Sequence, residues 1–291
     1  MINGHRVIVW TPYGRIPTYS ILINYLRRDV ERGLVDEVWA YMNTEPVGQE
    51  ADIAYAHELA ATYPWFHLKE RPGGRPRNRI IQRNTGFAYE YMTDPQTVYI
   101  RMDDDIVWVD EHAVSNLVSQ RLAQPAPAAV FSTMWNNAIV SYFAQMQGLI
   151  PREWGRCTMY CMDPVGWADG AFAVKIHELL LDKIDAGRAD DLELYQSFPI
   201  KPGTQFSVSC FASLGSMYRD LPDGPGVLDP NPVTIEEENW HTVARPLKTG
   251  VSNILVGNAL VSHYSFKPQK PHLTSTDILD RYRALAEKIG A

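Results

Sequence analysis

Four short strand-like runs, each separated from the next by a helix-length stretch, fill the first hundred residues, and no feature constrains the fold more. The runs are Arg6–Trp10, Glu37–Met42, Trp65–Leu68 and Thr97–Met102. Between the first two, Pro17–Arg32 places Ile21, Leu22, Tyr25 and Leu26 at helical spacing and meets Gly33 as a stop signal. Glu50–Tyr63 and Arg79–Met92 predict helices in the other two gaps. Connections this long do not close hairpins. They carry the chain back over the sheet, so that the next strand pairs in parallel through a right-handed crossover. The expected fold class is α/β, with a mostly parallel central sheet flanked by helices.

Beyond Asp103 the pattern loosens. Glu111–Leu122 predicts a helix, Ala129–Met134 a strand, and Ala171–Ile184 a helix entered from the turn Trp167-Ala168-Asp169-Gly170. Ile254–Val261 is strand-like, and Thr276–Ile289 predicts a closing amphipathic helix. Residues 221–233 hold four prolines and two glycines, which predicts an ordered loop or a lid. No repeat, low-complexity tract or linker divides the 291 residues, so one domain over 1–291 is expected. Eight Trp, fifteen Tyr and nine Phe supply a core and exclude wholesale disorder. No apolar run reaches the roughly 18 residues of a membrane span. The start, Met1 to Arg6, carries no secretory pattern, so a cytoplasmic chain without membrane contact is expected. Cys157, Cys161 and Cys210 form no paired set, which predicts buried thiols rather than disulfides or zinc ligands. The 27 basic and 34 acidic residues leave a net charge of −7, which excludes a general nucleic-acid coat protein but not a local basic patch.

Arg101-Met102-Asp103-Asp104-Asp105 ends the fourth strand. In an open α/β sheet, ligands bind beyond the carboxyl ends of the strands. Three adjacent carboxylates repel one another unless a cation or a basic group compensates. Alternate residues of an extended segment point the same way, so Asp103 and Asp105 are expected to face one cleft while Asp104 turns elsewhere. Carboxylate oxygens there suit Mg²⁺ or Mn²⁺, which keep positions open for water and phosphate. The plain alternative is a solvated acidic turn.

This order, a βαβαβα start followed by a strand ending in Asp-x-Asp, resembles the GT-A fold glycosyltransferases. The likeness is family-2-like, to a group seen in actinobacteria, fungi and phages; Trp10-Thr-Pro-Tyr-Gly-Arg15 and His263-Tyr-Ser-Phe266 add to it. The resemblance implies a GT-A-like Rossmann-type sandwich, with a nucleotide-sugar-binding half at 1–105 and an acceptor-binding, site-completing half at 106–291. It implies a nucleotide-sugar donor, a UDP-sugar foremost, and a divalent cation, Mn²⁺ or Mg²⁺, held on the diphosphate by Asp103 and Asp105. A histidine from a C-terminal segment completes the metal shell in several GT-A families, often followed by a basic group near the diphosphate; His263 and Lys267 match those positions. The resemblance also places Thr11, Tyr13, Arg15, Asn43 and Asp104 at the donor. Tyr13 is expected to stack on the base, Arg15 to meet phosphate, and Asn43 to lie near the base at the end of the second strand. Arg83, Asn84 and Gly86 match an Arg-Asn-x-Gly helix start behind the donor pocket, with Arg79 in the same stretch.

An inverting transferase needs a carboxylate to deprotonate the acceptor hydroxyl; a retaining one does without it. Asp169 is one candidate. Glu237 and Glu238, within Glu236-Glu-Glu-Asn-Trp240, are the others, although a helix N-terminus also attracts acidic residues for its dipole alone. From Lys69 to Arg83 there are six basic residues and one acidic one, a net +5 against −12 for the rest. That stretch is either a solvated face or an anion site for diphosphate or a nucleic-acid backbone. Some proteins of the resembled group are suspected of sugar transfer to hydroxylated bases in DNA, so hydroxymethylpyrimidine DNA is one expected acceptor, beside a glycan, a lipid or a small molecule. Two other readings stay open. A nucleotidyltransferase also pairs aspartates with Mg²⁺, but usually opens with a glycine-rich loop that Thr11-Pro-Tyr-Gly14 lacks. A carbohydrate-binding protein with a structural Ca²⁺ would use the many aromatics for stacking.

Overall fold

The computed structural model describes residues 1–45, 47–70, 85–218 and 236–289. β1 (Val7–Tyr13), α1 (Ile16–Glu31), β2 (Glu37–Met42), α2 (Glu50–Thr62), β3 (Phe66–Lys69) and β4 (Val98–Met102) reproduce the predicted alternation. The helix expected over Arg79–Met92 differs. Its first residues lie outside those described, and Thr85–Tyr91 forms a 3₁₀ helix. The chain continues through β5 (Ile106–Val109), α3 (Ala113–Ala123), β6 (Val130–Trp135), α4 (Ala138–Met146), α5 (Gly170–Asp185), β7 (Phe198–Ile200) and β8 (Cys210–Leu214). α6 (Glu237–Asn239) runs through a π-helical turn (Trp240–Ala244) into α7 (Arg245–Thr249). β9 (Asn253–His263), α8 (Lys270–Leu273) and α9 (Ile278–Ile289) close the fold.

Among the described residues the strands form one nine-stranded sheet in the order β3-β2-β1-β4-β8-β6-β9-β5, with β7 paired to β9. β1 pairs in parallel with β2 and β4, β2 with β3, and β6 with β9. β8 runs antiparallel to both β4 and β6. So β1, β2, β3, β4, β6 and β9 all point one way, and their carboxyl ends share one edge of the sheet. This is the expected α/β class, with a mostly parallel central sheet flanked by helices.

The uninterrupted apolar character of β1 follows from cover on both faces. Val7 and Val9 enter the main core with α1, α3, α5 and α9. Ile8 and Trp10 enter a second, aromatic cluster with Trp39, Tyr41, Phe87, Tyr89 and Tyr99. α1 has Pro17 in its first turn, where a missing N–H costs nothing, but no side-chain cap of its own. Asp52 of α2 supplies one, accepting the Ile16 N–H at 2.8 Å. Gly33, at φ +73°, ends the helix as predicted. The three cysteines are free and buried. Among the described residues no helix is long and apolar enough to cross a membrane. The loop expected at 221–233 lies outside the described residues.

Candidate active site

The acidic triplet sits at the shared carboxyl edge and reverses the chain. The Asp103 N–H donates to Ser209 O at 2.8 Å, and the Ile106 N–H donates to Asp103 O at 3.1 Å. The chain thus turns into β5, which lies antiparallel to β9 with Ile106 opposite His263. The Tyr264 N–H donates to Asp105 O at 2.8 Å. This register brings the Asp105 and His263 side chains together, with Nε2 and Oδ2 3.4 Å apart and both residues buried. Burial alone would push the Asp105 carboxyl up, but His263 and then Arg15 overcome it and hold it well below the usual carboxylate range. Burial likewise opposes protonation of His263, yet Asp105 beside it holds the imidazole above its ordinary value.

The other two aspartates face different partners. Asp104 accepts from Arg15 Nε at 2.8 Å and, through Oδ2, from the Gly14 N–H at 2.9 Å. The same guanidinium reaches Asp105 Oδ2 at 3.0 Å. Burial nevertheless pushes the Asp104 carboxyl above its usual range, against the pull of Arg15. Asp103 Oδ1 pairs with Arg101 Nη1 at 2.8 Å. Asp104 turns towards the loop after β1, and Asp103 is ion-paired with Arg101. Arg15, expected to await phosphate, is engaged by Asp104 and Asp105.

Asp105 and His263 fit a hard divalent ion. Two ligands sharing a cation at about 2.1 Å stand roughly 3 Å apart, close to the 3.4 Å seen here. Asp105 Oδ1 and His263 Nδ1 are buried and make no hydrogen bond among the described residues. No group of three or more His, Cys, Asp or Glu side chains is gathered among the described residues. Among the described residues, Asp105 and His263 are therefore a pair of candidate ligands and not a larger cluster. Such a pair suits Mg²⁺ or Mn²⁺, which are commonly held by one or two carboxylates plus water and phosphate oxygens.

The three base candidates separate cleanly. Asp169 is the N-cap of α5, its Oδ1 accepting from Ala171 N and Phe172 N at 2.8 and 3.1 Å, so helix capping accounts for it. Glu237 is buried against Arg101 Nε at 2.8 Å and also accepts from the hydroxyls of Thr85, at 2.9 Å, and Tyr89. Its carboxylate is committed. Glu238 accepts from Gln205 Nε2, and burial pushes its carboxyl up to about 7.

Other expectations meet the geometry less well. Tyr13 is fully buried; its hydroxyl donates to Asp52 O at 2.6 Å, and its ring packs edge-on against Tyr19. That ring is core, and a base-stacking role is corrected on this ground. Thr11 is fully buried within β1. Asn43 lies just past β2, with its N–H donating to Tyr13 O at 3.0 Å and its buried Oδ1 without a hydrogen bond among the described residues. Lys267 is exposed. Arg79, Arg83, Asn84 and most of the basic stretch lie outside the described residues. A cavity of about 560 Å³, lined by Pro125, Phe198 and Ile254 among others, opens at the amino ends of β6 and β9, away from these carboxylates.

Three contributors escaped sequence reasoning: Arg101, Gln205 and Asn136. Arg101 had a signal, a lone cation in an apolar strand two residues before Asp103 and so on the same face. Asn136, at φ +63°, donates through Nδ2 to Tyr264 O and Gln269 Oε1, both at 3.0 Å, and steadies the segment after His263. Gln205 sits in irregular chain and had no signal.

No family profile and no curated protein matches the chain. Among solved structures, it is similar to a mannosyltransferase from Pyrobaculum calidifontis in complex with GDP-Man and Mn²⁺, at 14% identity over 99% of this chain and 75% of that one, with a TM-score of 0.47. It is also similar to CMP:2-keto-3-deoxy-manno-octonic acid synthetase complexed with CTP, at 12% identity over 98% and 99% of the two chains and a TM-score of 0.45. The chain spans 58% of the length of a 4-diphosphocytidyl-2C-methyl-D-erythritol synthase, using 44% of its own, at 10% identity and a TM-score of 0.31.

Proposed function

We propose that the chain is a metal-dependent glycosyltransferase. It moves a sugar from a nucleoside diphosphate sugar, a UDP-sugar foremost, to a hydroxyl acceptor. The observation that carries this reading is the buried Asp105–His263 pair at the carboxyl edge, with Oδ2 and Nε2 3.4 Å apart. Asp105 and His263 would hold Mn²⁺ or Mg²⁺, which when bound neutralises charge on the leaving diphosphate.

The rest is work for the chain's own groups. Arg15 is half exposed at the same edge and is the cation placed to turn from Asp104 towards phosphate oxygens. Asn43, whose side-chain carbonyl oxygen makes no hydrogen bond among the described residues, would accept from an N–H of the base. Glu238, with its carboxyl near neutrality, is the general base that takes the acceptor proton, in an inverting reaction. Asp103, held by Arg101, shapes the donor side without ligating the ion in this arrangement. The domain reading follows the same division: one domain, with the donor half at 1–105 and the acceptor half at 106–291. A hydroxymethylpyrimidine DNA acceptor rests on the family resemblance and the basic stretch at 69–83, and a glycan or small molecule fits Glu238 equally well.

The test is thermal stability in UDP, GDP, CDP and TDP, each with and without Mn²⁺. A ligand of the folded state raises stability by mass action, about 2.7 kcal/mol at a hundredfold excess over Kd. One nucleotide that stabilises only with Mn²⁺ supports the reading; a panel without effect refutes it. Product analysis then separates the chemistries. Free nucleoside diphosphate marks sugar transfer, and pyrophosphate marks nucleotidyl transfer.

A further inference from the structure

Arg101 is buried to 6% exposure in an otherwise apolar strand, and neither metal binding nor proton transfer accounts for it. Its side chain lies on the aromatic face of β4, with the guanidinium 5.6 Å from the centre of the Trp10 ring. Nη1 meets Asp103 at 2.8 Å and also donates to Val208 O, while Nε meets Glu237 at 2.8 Å. The two carboxylates come from opposite sides of the proposed reaction. Asp103 belongs to the acidic turn that presents Asp105. Glu237 belongs to α6 and directly precedes Glu238.

We infer that Arg101 is a positioning residue: it brackets the tip of β4 to the start of α6 and so fixes the Glu238 carboxylate relative to the donor. The inference rests on the glycosyl-transfer reading and extends it to how the two half-sites are held in register. Glu237 is pinned on its other side by the Thr85 and Tyr89 hydroxyls. The helix behind it is pinned too, because His241 Nδ1 meets Glu237 O at 2.9 Å and His241 Nε2 meets the Tyr218 hydroxyl at 2.9 Å. Glu237 is thus held on several sides, and among the described residues the guanidinium links it to Asp103. A buried ion pair is often no more stabilising than apolar residues of the same volume. What the guanidinium adds is reach, since Nη1 stands against Asp103 while Nε stands against Glu237, where an ammonium is a single point charge. Misplacing a catalytic group by about 1 Å costs on the order of a hundredfold in rate.

The experiment measures nucleoside diphosphate release from UDP-glucose and from GDP-mannose with Mn²⁺, in wild type, Arg101→Lys, Glu237→Gln and the double variant. Each single variant is expected to lower kcat by about 10–100-fold, with the donor KM within about twofold. The double variant is expected to be no slower than the slower single, because both remove one bracket. Wild-type kcat in Arg101→Lys, a loss confined to KM, or losses that multiply in the double variant would each overturn the inference. Should Arg101→Lys fail to fold, Tyr89→Phe carries the test, removing one hydroxyl from Glu237. A several-fold fall in kcat at constant KM is then expected, and an unchanged kcat overturns the inference. A wild type that releases neither diphosphate, and is stabilised by neither UDP nor GDP with Mn²⁺, overturns the glycosyl-transfer reading itself. A wild type that turns over beside an indifferent Arg101→Lys overturns the bracket alone.

Discussion

The turn after β4 and the start of α6 each crowd carboxylates together, yet they settle the repulsion in opposite ways. At the turn, cations stand against all three: Arg101 serves Asp103, Arg15 serves Asp104 and Asp105, and His263 stands against Asp105; burial still outweighs Arg15 at Asp104 but not the two cations at Asp105. The outcome for Asp105 is a carboxylate held ionised despite burial. At α6, Glu237 takes the share of Arg101 that Asp103 leaves, and Glu238 receives only an amide, from Gln205. Burial then dominates, and the Glu238 carboxyl rises to about 7. A fixed negative charge suits a cation ligand, whereas a carboxylate near neutrality suits proton transfer at physiological pH. Neighbouring environments thus give chemically identical groups two different tasks.

Glu238→Gln strikes that comparison hardest. It keeps the shape and the Gln205 contact but cannot accept a proton. Turnover should fall by about 10²–10⁴-fold with donor KM nearly unchanged. Wild-type turnover in this variant would make the burial of Glu238 incidental and favour a retaining route. Asp105→Asn tests the turn. Mn²⁺ affinity, read by titration with intrinsic fluorescence, should weaken by at least about tenfold, as should the Mn²⁺-dependent part of nucleotide stabilisation. Equal Mn²⁺ affinity in Asp105→Asn and wild type would remove the turn from the metal site.

The pH dependence sharpens the contrast. A base with a carboxyl near 7 makes kcat fall as pH drops below about 7, and Glu238→Gln should abolish that limb. Stability runs the other way. The folded state binds the Glu238 proton more tightly than the unfolded chain does. Its stabilising contribution is therefore full below the unfolded carboxyl value and is lost as pH rises through about 7. Glu238→Gln escapes that loss, so at pH 8 its Tm should exceed that of wild type by roughly 1–3 °C. A lower Tm at pH 8 would contradict burial as the cause of the raised value.

How much of this was legible in the sequence follows the same division. The first four strands and two of their helices could be placed within a few residues, because β1, β2 and β4 read as short apolar runs covered on both faces and the helices between them carry helical spacing. β5, α4, β7 and β8 were missed. β5 and β7 are four and three residues long. β8 is Cys-Phe-Ala-Ser-Leu in a polar surrounding, and its pairing is set by β4 and β6 rather than by its own pattern. α4 starts on an Asn137 cap only two residues after β6, so no turn-length polar stretch separates the two elements. The missed β5 matters most, since its register on β9 is what sets Asp105 beside His263. Chemistry at strand ends was readable because position along the sheet implies it. Which carboxylate meets which cation was not, because Arg101 and Glu237 are paired by tertiary packing alone.

Asp169 supplies the mildest test and the control for the other two regions. It is exposed, and its Oδ1 accepts the Ala171 and Phe172 N–H groups of α5. Backbone donors settle its charge, with neither a cation nor burial involved. Asp169→Ala removes one cap and should cost about 1 kcal/mol, lowering Tm by roughly 2–4 °C, with turnover per folded molecule unchanged. Asp169→Asn keeps an accepting oxygen at the cap, so its Tm should fall within about 1 °C of wild type. If Asp169→Asn instead matched Glu238→Gln in lost turnover while keeping its Tm, the proton acceptor would lie at the start of α5, and the raised carboxyl of Glu238 would be a consequence of packing with no chemical use.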